Sequence, residues 1–492
     1  MKLNAITFIQ NNFKIYVCFL ILICFNQLQP VIKFGSKYST IKIDPWAACL
    51  IENPLNITQG VVNLTENGII SGAPIIFNNG TIVDSGNKLK LTGVINPEND
   101  SIILNGNCSF GGRNGTCLQP IFVSGKNNLI SGSLAICNDI TLLDSNTSVS
   151  MDVIPNLNAN IYLNGGSLYL MENSLKFNDG FRLFGPGTVN EHGSKLLHGA
   201  TTLTFNENLY FANAQDIQFS SDVILQENWT FSGNSTLSGN TSSLYLQNGT
   251  INIERGSSLL IKNMTLHGVH DENLICLDNA ATVTFQNVMI YLDSDYAFPV
   301  GHFVISNQVK ILGDCKFIYQ SPMESIILSK ATLTLDSGIT FSYDPFCMRK
   351  DLIAFEDAYS TLELDGATLY ATMAGMQLTT GSLVINNNSY LAGEKNALID
   401  EGITFGNDNP QDDLYCQNLK GSTLEITSGS LKYRNILPTS WTMEKNQSAI
   451  IIDANCNLYL YEDLNIAPGF LHYKGPGGFF CAPGKTTNAS CI

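Results

Sequence analysis

From about Thr58 onward the chain reads as short runs of alternating apolar and polar residues, as in Ser242 to Leu246, Ser258 to Ile261, Thr282 to Phe285 and Thr332 to Leu335. A period of two predicts β-strands with one buried face, and no stretch carries the three-and-four spacing of an amphipathic helix. Between the strands a six-residue phrase recurs: an apolar residue, two or three small polar residues or glycines, a Ser or Thr, and another apolar residue. It appears as FNNGTI (Phe77 to Ile82), LNGGSL (Leu163 to Leu168), LQNGTI (Leu246 to Ile251), LDGATL (Leu364 to Leu369), INNNSY (Ile385 to Tyr390) and ITSGSL (Ile426 to Leu431). Looser copies begin at Leu170, Phe205, Ile261 and Phe285.

The spacing of the copies carries the architecture. Ile261 to Phe285 is 24 residues, Leu364 to Ile385 is 21, and Ile385 to Ile426 is 41, close to twice that. A strand-only repeat of this length cannot bury its apolar face alone and must stack on its neighbours as a solenoid. The helical or Leu/Asn-patterned segment of a leucine-rich repeat is missing, which leaves a parallel β-helix. In it the phrase turns a corner: its apolar ends point inward, while Gly or Asn adopts the left-handed backbone that a tight corner demands. Asparagines at equivalent corners, such as Asn79, Asn164 and Asn248, are expected to stack in amide ladders.

This pattern resembles the right-handed parallel β-helix of the pectin-lyase-like proteins and, more loosely, the repeat passengers of bacterial surface adhesins, over about Thr58 to Asn435. The resemblance implies an all-β, right-handed parallel β-helix solenoid with capped ends, and some 375 residues at roughly 24 per coil give on the order of sixteen coils. It implies no single activity, because the fold carries lyases, hydrolases, spikes and adhesins alike. Phe205 to Asn208 and Phe231 to Asn234 match the F-x-x-N motif of chlamydial polymorphic membrane proteins, but the companion GGA-type motif and a C-terminal barrel are missing.

Residues 1–29 read as a signal peptide or uncleaved signal anchor: Lys2 and Lys14 accompany the apolar run Ile15 to Phe25, too short for a comfortable membrane span. Residues 30–57 then form a linker and N-terminal cap, 58–435 the β-helix, and 436–492, with Trp441 and the Gly475 to Gly478 turn, a C-terminal cap. Secretion or display at the cell surface is expected. Only 14% of residues are charged and the net charge is −16. A chain without clustered Lys and Arg is not a nucleic-acid binder. Two of the thirteen cysteines lie in the leader. Cys108 with Cys117, and Cys481 with Cys491, are close enough to close short disulfide loops, whereas Cys276, Cys315 and Cys456 sit where a thiol packs as a small hydrophobe. Sequons for N-glycosylation are numerous, Asn56, Asn63, Asn146, Asn228, Asn240, Asn263 and Asn488 among them.

Candidate chemistry is sparse. Gln411, Asp412 and Asp413 reproduce one element of the polygalacturonase signature, without the NTD, GHG and RIK elements that should accompany it, and read as a solvated loop. The sharpest constellation is His267, His270, Asp271 and Glu272; one coil of 24 residues would place Asp271 beside Asp295, with Asp293 and Tyr296 near and His302 in the next loop. Such a group would suit a divalent metal or a general acid/base pair. Tyrosines recurring in strand runs, Tyr162, Tyr169, Tyr210, Tyr245, Tyr291, Tyr370, Tyr390, Tyr433, Tyr459 and Tyr461, raise the alternative of a sugar-stacking strip. The expected function is that of a non-catalytic structural or adhesive β-helix with no cofactor, meeting surface glycans or proteins and touching a membrane only through an uncleaved leader. The alternatives are a polysaccharide lyase or glycoside hydrolase on the same fold, or a non-catalytic glycan-binding protein.

Overall fold

In the computed structural model the chain is all-β, a parallel β-solenoid of about 14 turns. The structure describes only strand backbone before residue 102 and most residues from 102 to 483, without a break from 216 to 394. Cys108, Cys491, Tyr461 and the Gln411 to Asp413 loop lie outside the described residues, as do most of the leader and the candidate caps. No helix among the described residues is long and apolar enough to cross a membrane.

The chain divides into two compact units, one of residues 1–223 with 227–230 and one of 224–226 with 231–492. In the second unit, strands Ser258–Val269, Thr282–Leu292 and His302–Leu312 pair in parallel with Ile261 over Phe285 and Phe285 over Ile305. The 24-residue spacing in the sequence is therefore a true coil. Past the corner, Leu266, Ile290, Ile311, Leu335, Leu364 and Ile385 stack as one inward ladder, each at most 3% exposed. Stacking of this kind buries every coil's apolar face against the next, which no coil achieves alone.

The third spacing does not hold. Ile385 pairs with Asn418, and Ile426 pairs with Leu391. These rungs are 33 and 35 residues apart, so the 41-residue interval is one long coil plus an offset rather than two coils. Thr332 to Thr361, at 29 residues, is also long. Such coils are why the chain forms about 14 turns where a uniform short repeat predicts sixteen.

The corners are left-handed, as expected, at Asn164 (φ 47), Asn263 (φ 54), Asn287 (φ 55), Asn307 (φ 56), Gly366 (φ 82) and Asn387 (φ 52). An amide ladder forms where Asn287 Nδ2 donates to Asn263 Oδ1 at 3.0 Å. The trio expected to ladder does not: Asn79 lies outside the described residues, and Asn164 Nδ2 donates to the Leu142 carbonyl at 2.8 Å. Asn248 is absent from the left-handed residues. Its phrase turns by close approach instead, for a Cβ on Gly249 would lie 2.4 Å from Leu225 Cγ.

Aromatic residues stack at inward rungs too. In the first unit Phe177, His198 and Phe219 lie face to face at 5.1 and 4.8 Å, with Trp229 continuing the column at 5.9 Å. In the second, Phe317 stacks on Phe341 at 5.4 Å and Tyr319 on Tyr343 at 5.8 Å. Cys276 and Cys456 are buried free thiols, and Cys315 is a half-buried one. Burial, and then the Asp278 charge, push the Cys276 thiol up to about 12, so it packs as a neutral hydrophobe. Of the expected disulfide pairs the structure describes Cys117, buried, and Cys481, exposed.

Candidate functional site

His267, His270, Asp271 and Glu272 sit in the second unit, at the end of Ser258–Val269 and in the loop that follows. Gly268 (φ 75) and Glu272 (φ 75) turn that loop, and the buried Asn273 cinches it. Its Nδ2 donates to Gly268 O at 2.6 Å, and its Oδ1 accepts from His270 N at 3.1 Å. An asparagine that satisfies two backbone groups of one loop is a structural clasp.

The acids face the next coil rather than one another. Asp271 Oδ1 accepts from Ala297 N at 2.5 Å, and Asp295 Oδ1 accepts from Lys316 N at 2.8 Å. The pairing slips by one residue between Leu266 and Val269, where Val269 meets Leu292. That slip carries Asp271 past Asp295 and onto Ala297, so a strict 24-residue offset misplaces it. His270 Nδ1 lies 2.5 Å from the Asp271 carbonyl, and His302 Nδ1 lies 2.6 Å from that of Glu324. Asp293 is exposed, and its backbone N–H donates to Val269 O at 3.1 Å. Among the described residues no group of three or more His, Cys, Asp or Glu is arranged to hold a metal ion.

The same aspartate-to-backbone contact recurs in the first unit, where Asp139 Oδ1 accepts from Asn160 N at 2.9 Å and Asp179 Oδ1 from Ala200 N at 2.7 Å. Loop acids in this chain act as coil-to-coil fasteners, a role that a carboxylate fills well because its hydrogen bond to an N–H is charge-assisted.

His267 itself points outward, between Tyr245 and Tyr291. The rings lie 4.6 and 4.7 Å apart with interplanar angles of 11° and 8°. That spacing matches the roughly 4.8 Å between neighbouring strands, so the rings stack along the ladder. Both faces of the imidazole are covered, and the column offers solvent its edges. A sugar-stacking strip needs open ring faces, which this column has only beyond its terminal tyrosines. Tyr459 stacks likewise on Phe480 at 5.0 Å, Tyr162 stacks on Phe184 at 4.6 Å, and Tyr433 is buried.

Neither a protein-family model nor a curated protein nor a solved structure matches this chain.

Along the same outward face lies a polar cluster that the sequence pattern did not reveal. Lys310 Nζ reaches Asp336 Oδ1 at 2.9 Å and Asp365 Oδ2 at 3.5 Å. Asn387 Nδ2 holds the other Asp365 oxygen at 2.6 Å. Glu363 accepts from Thr334 Oγ1 at 3.1 Å and from Asn386 Nδ2 at 3.3 Å. The hydrogen bond to Asp336, and then the two aspartate charges, hold the Lys310 ammonium above the usual lysine range against a smaller opposing effect of burial. Asp336 and Asp365 occupy matching positions in TLTLD (332–336) and TLELD (361–365) and pair directly. Repetition of that pentapeptide was the available signal. The lysine neutralises the like charges that the ladder stacks together.

Proposed function

We propose that the protein is a non-catalytic β-solenoid with a structural or adhesive role, working outside the cell or at its surface and meeting glycans or proteins there. One observation carries this reading: Asp271 and Asp295, the acids best spaced for chemistry in the sequence, both hold backbone N–H groups of the following coil. A carboxylate so engaged stabilises the stack, whereas a general acid or nucleophile needs its oxygens turned toward a substrate. Export rests on the apolar run near the N-terminus and on a surface made polar mainly by uncharged side chains.

A polysaccharide-active protein, as the pectin-lyase-like resemblance suggests, is the second reading. The Lys310, Asp336 and Asp365 cluster favours it, since carboxylates exposed on the flank of a solenoid are where such chemistry would reside. A screen of the full chain against acidic and neutral polysaccharides separates the two. The structural reading expects no cleavage, and it expects the Asp271→Asn, Asp295→Asn double variant to lose about 1–2 kcal/mol of stability, with one charge-assisted hydrogen bond weakened at each position. Measured cleavage that vanishes in Asp336→Asn or Asp365→Asn would establish the second reading and remove the first.

A further inference from the structure

Seven Asn-X-Ser/Thr triplets fall on described residues, beginning at Asn146, Asn228, Asn234, Asn240, Asn248, Asn263 and Asn387, and all seven asparagines are exposed. Exposure is not general among the asparagines. Asn128, Asn273 and Asn418 are buried, Asn158, Asn160, Asn178 and Asn252 are half-buried, and none of these begins such a triplet. Modification of a sequon precedes folding, so a triplet persists harmlessly in an exported chain only where the fold leaves room for a glycan. The coincidence of triplet and exposure is the pattern that such a history leaves.

Hydrogen bonding points the same way. Asn263 uses its amide oxygen, accepting from Asn287 Nδ2, and Asn234 likewise accepts from Ser258 Oγ at 2.7 Å. A glycan replaces a hydrogen on the nitrogen and leaves the oxygen free to accept. Asn387 differs, because the fold already employs its nitrogen as a donor to Asp365.

We infer that Asn146, Asn228, Asn234, Asn240, Asn248 and Asn263 are acceptor sites for N-linked oligosaccharide. In the transfer, the asparagine amide nitrogen attacks C1 of a lipid-pyrophosphate-linked oligosaccharide. The N–C1 bond forms as the C1–O bond breaks, the lipid pyrophosphate departs, and the amide gives up one proton. The glycans would add neutral polar surface to a chain in which only 14% of residues carry charge.

The inference rests on the export reading, and the experiment keeps the two apart. The full chain is produced in cells capable of N-glycosylation, once with its own N-terminus and once with a foreign secretory signal placed before Met1. Peptide-N-glycosidase digestion, which converts each carrier asparagine to aspartate, is followed by mass spectrometry of peptides. Conversion at the six positions in both forms, and loss of two glycans in the Asn240→Gln, Asn263→Gln variant, is the expected result. Conversion only under the foreign signal would support the sites and overturn export by the chain's own leader. The inference falls if the six positions stay unmodified in the foreign-signal form, a readout that requires neither secretion nor correct folding.

Discussion

Lowering the pH from 7 toward 3 is expected to weaken the first unit strongly through His198. The imidazole is fully enclosed between Phe177 and Phe219, and burial, reinforced by the Arg182 charge, lowers its pKa to about 3. In the unfolded chain a histidine titrates near 6.5. Between those values the unfolded chain binds a proton that the folded chain refuses, so stability is full above about pH 6.5 and declines as the pH falls toward 3. The window is worth on the order of 4 kcal/mol, since each tenfold loss of proton affinity on folding contributes about 1.4 kcal/mol. Urea unfolding of the wild type and of His198→Phe at pH 7, 5 and 3.5 checks this. The variant should lose much of the acid dependence, and because His198 Nδ1 is buried without a hydrogen-bond partner, a phenyl ring in its place removes an orphaned polar atom. Equal slopes in the two proteins would refute the assignment.

A second large effect is expected at Glu207, also in the first unit. Arg182 is 9% exposed; Nη1 lies 2.8 Å from Glu207 Oε2, and Nη2 lies 3.3 Å from Oε1 and 3.1 Å from Asn206 Oδ1. The guanidinium also packs 3.7 Å from the Phe184 ring centroid and 4.9 Å from that of Phe205. Glu207→Ala strands the cation in this aromatic setting, and removal of one partner from a buried pair costs about 3–5 kcal/mol. Replacing both, as Arg182→Met with Glu207→Leu, should recover part of that loss, because no charge is left without its counterion. Denaturation midpoints of the two variants measure the difference. A double variant weaker than Glu207→Ala would show that the packing of the arginine, rather than its charge, dominates.

Strand content and coil spacing were legible because both are local. Alternation marked the inward positions, and the 24- and 21-residue spacings from Ile261 and Leu364 are observed registers. The 41-residue spacing misled because phrases at different corners look alike: Ile385 and Ile426 belong to separate strands with separate partners. At the candidate site the clustering in sequence of His267 to Glu272 suggested convergence. A one-residue slip in the ladder and a buried asparagine instead turned each group toward a backbone partner. The Lys310 cluster was hidden because it joins residues 26 and 55 positions apart. His198 was not, in principle: Phe177, His198 and Phe219 follow one another at 21-residue intervals, a periodicity visible once the coil length is known.

The long rungs between Leu391 and Ile426 bear on how such a chain evolves. Ladder spacing is fixed by strand-to-strand hydrogen bonds and not by how much polypeptide runs between one rung and the next. Closing a longer loop costs only a fraction of a kcal/mol per doubling of its length, about 0.6. Added sequence at such a point leaves the rungs on either side in register, so this coil is where a new appendage could be grafted by insertion while the scaffold keeps its form.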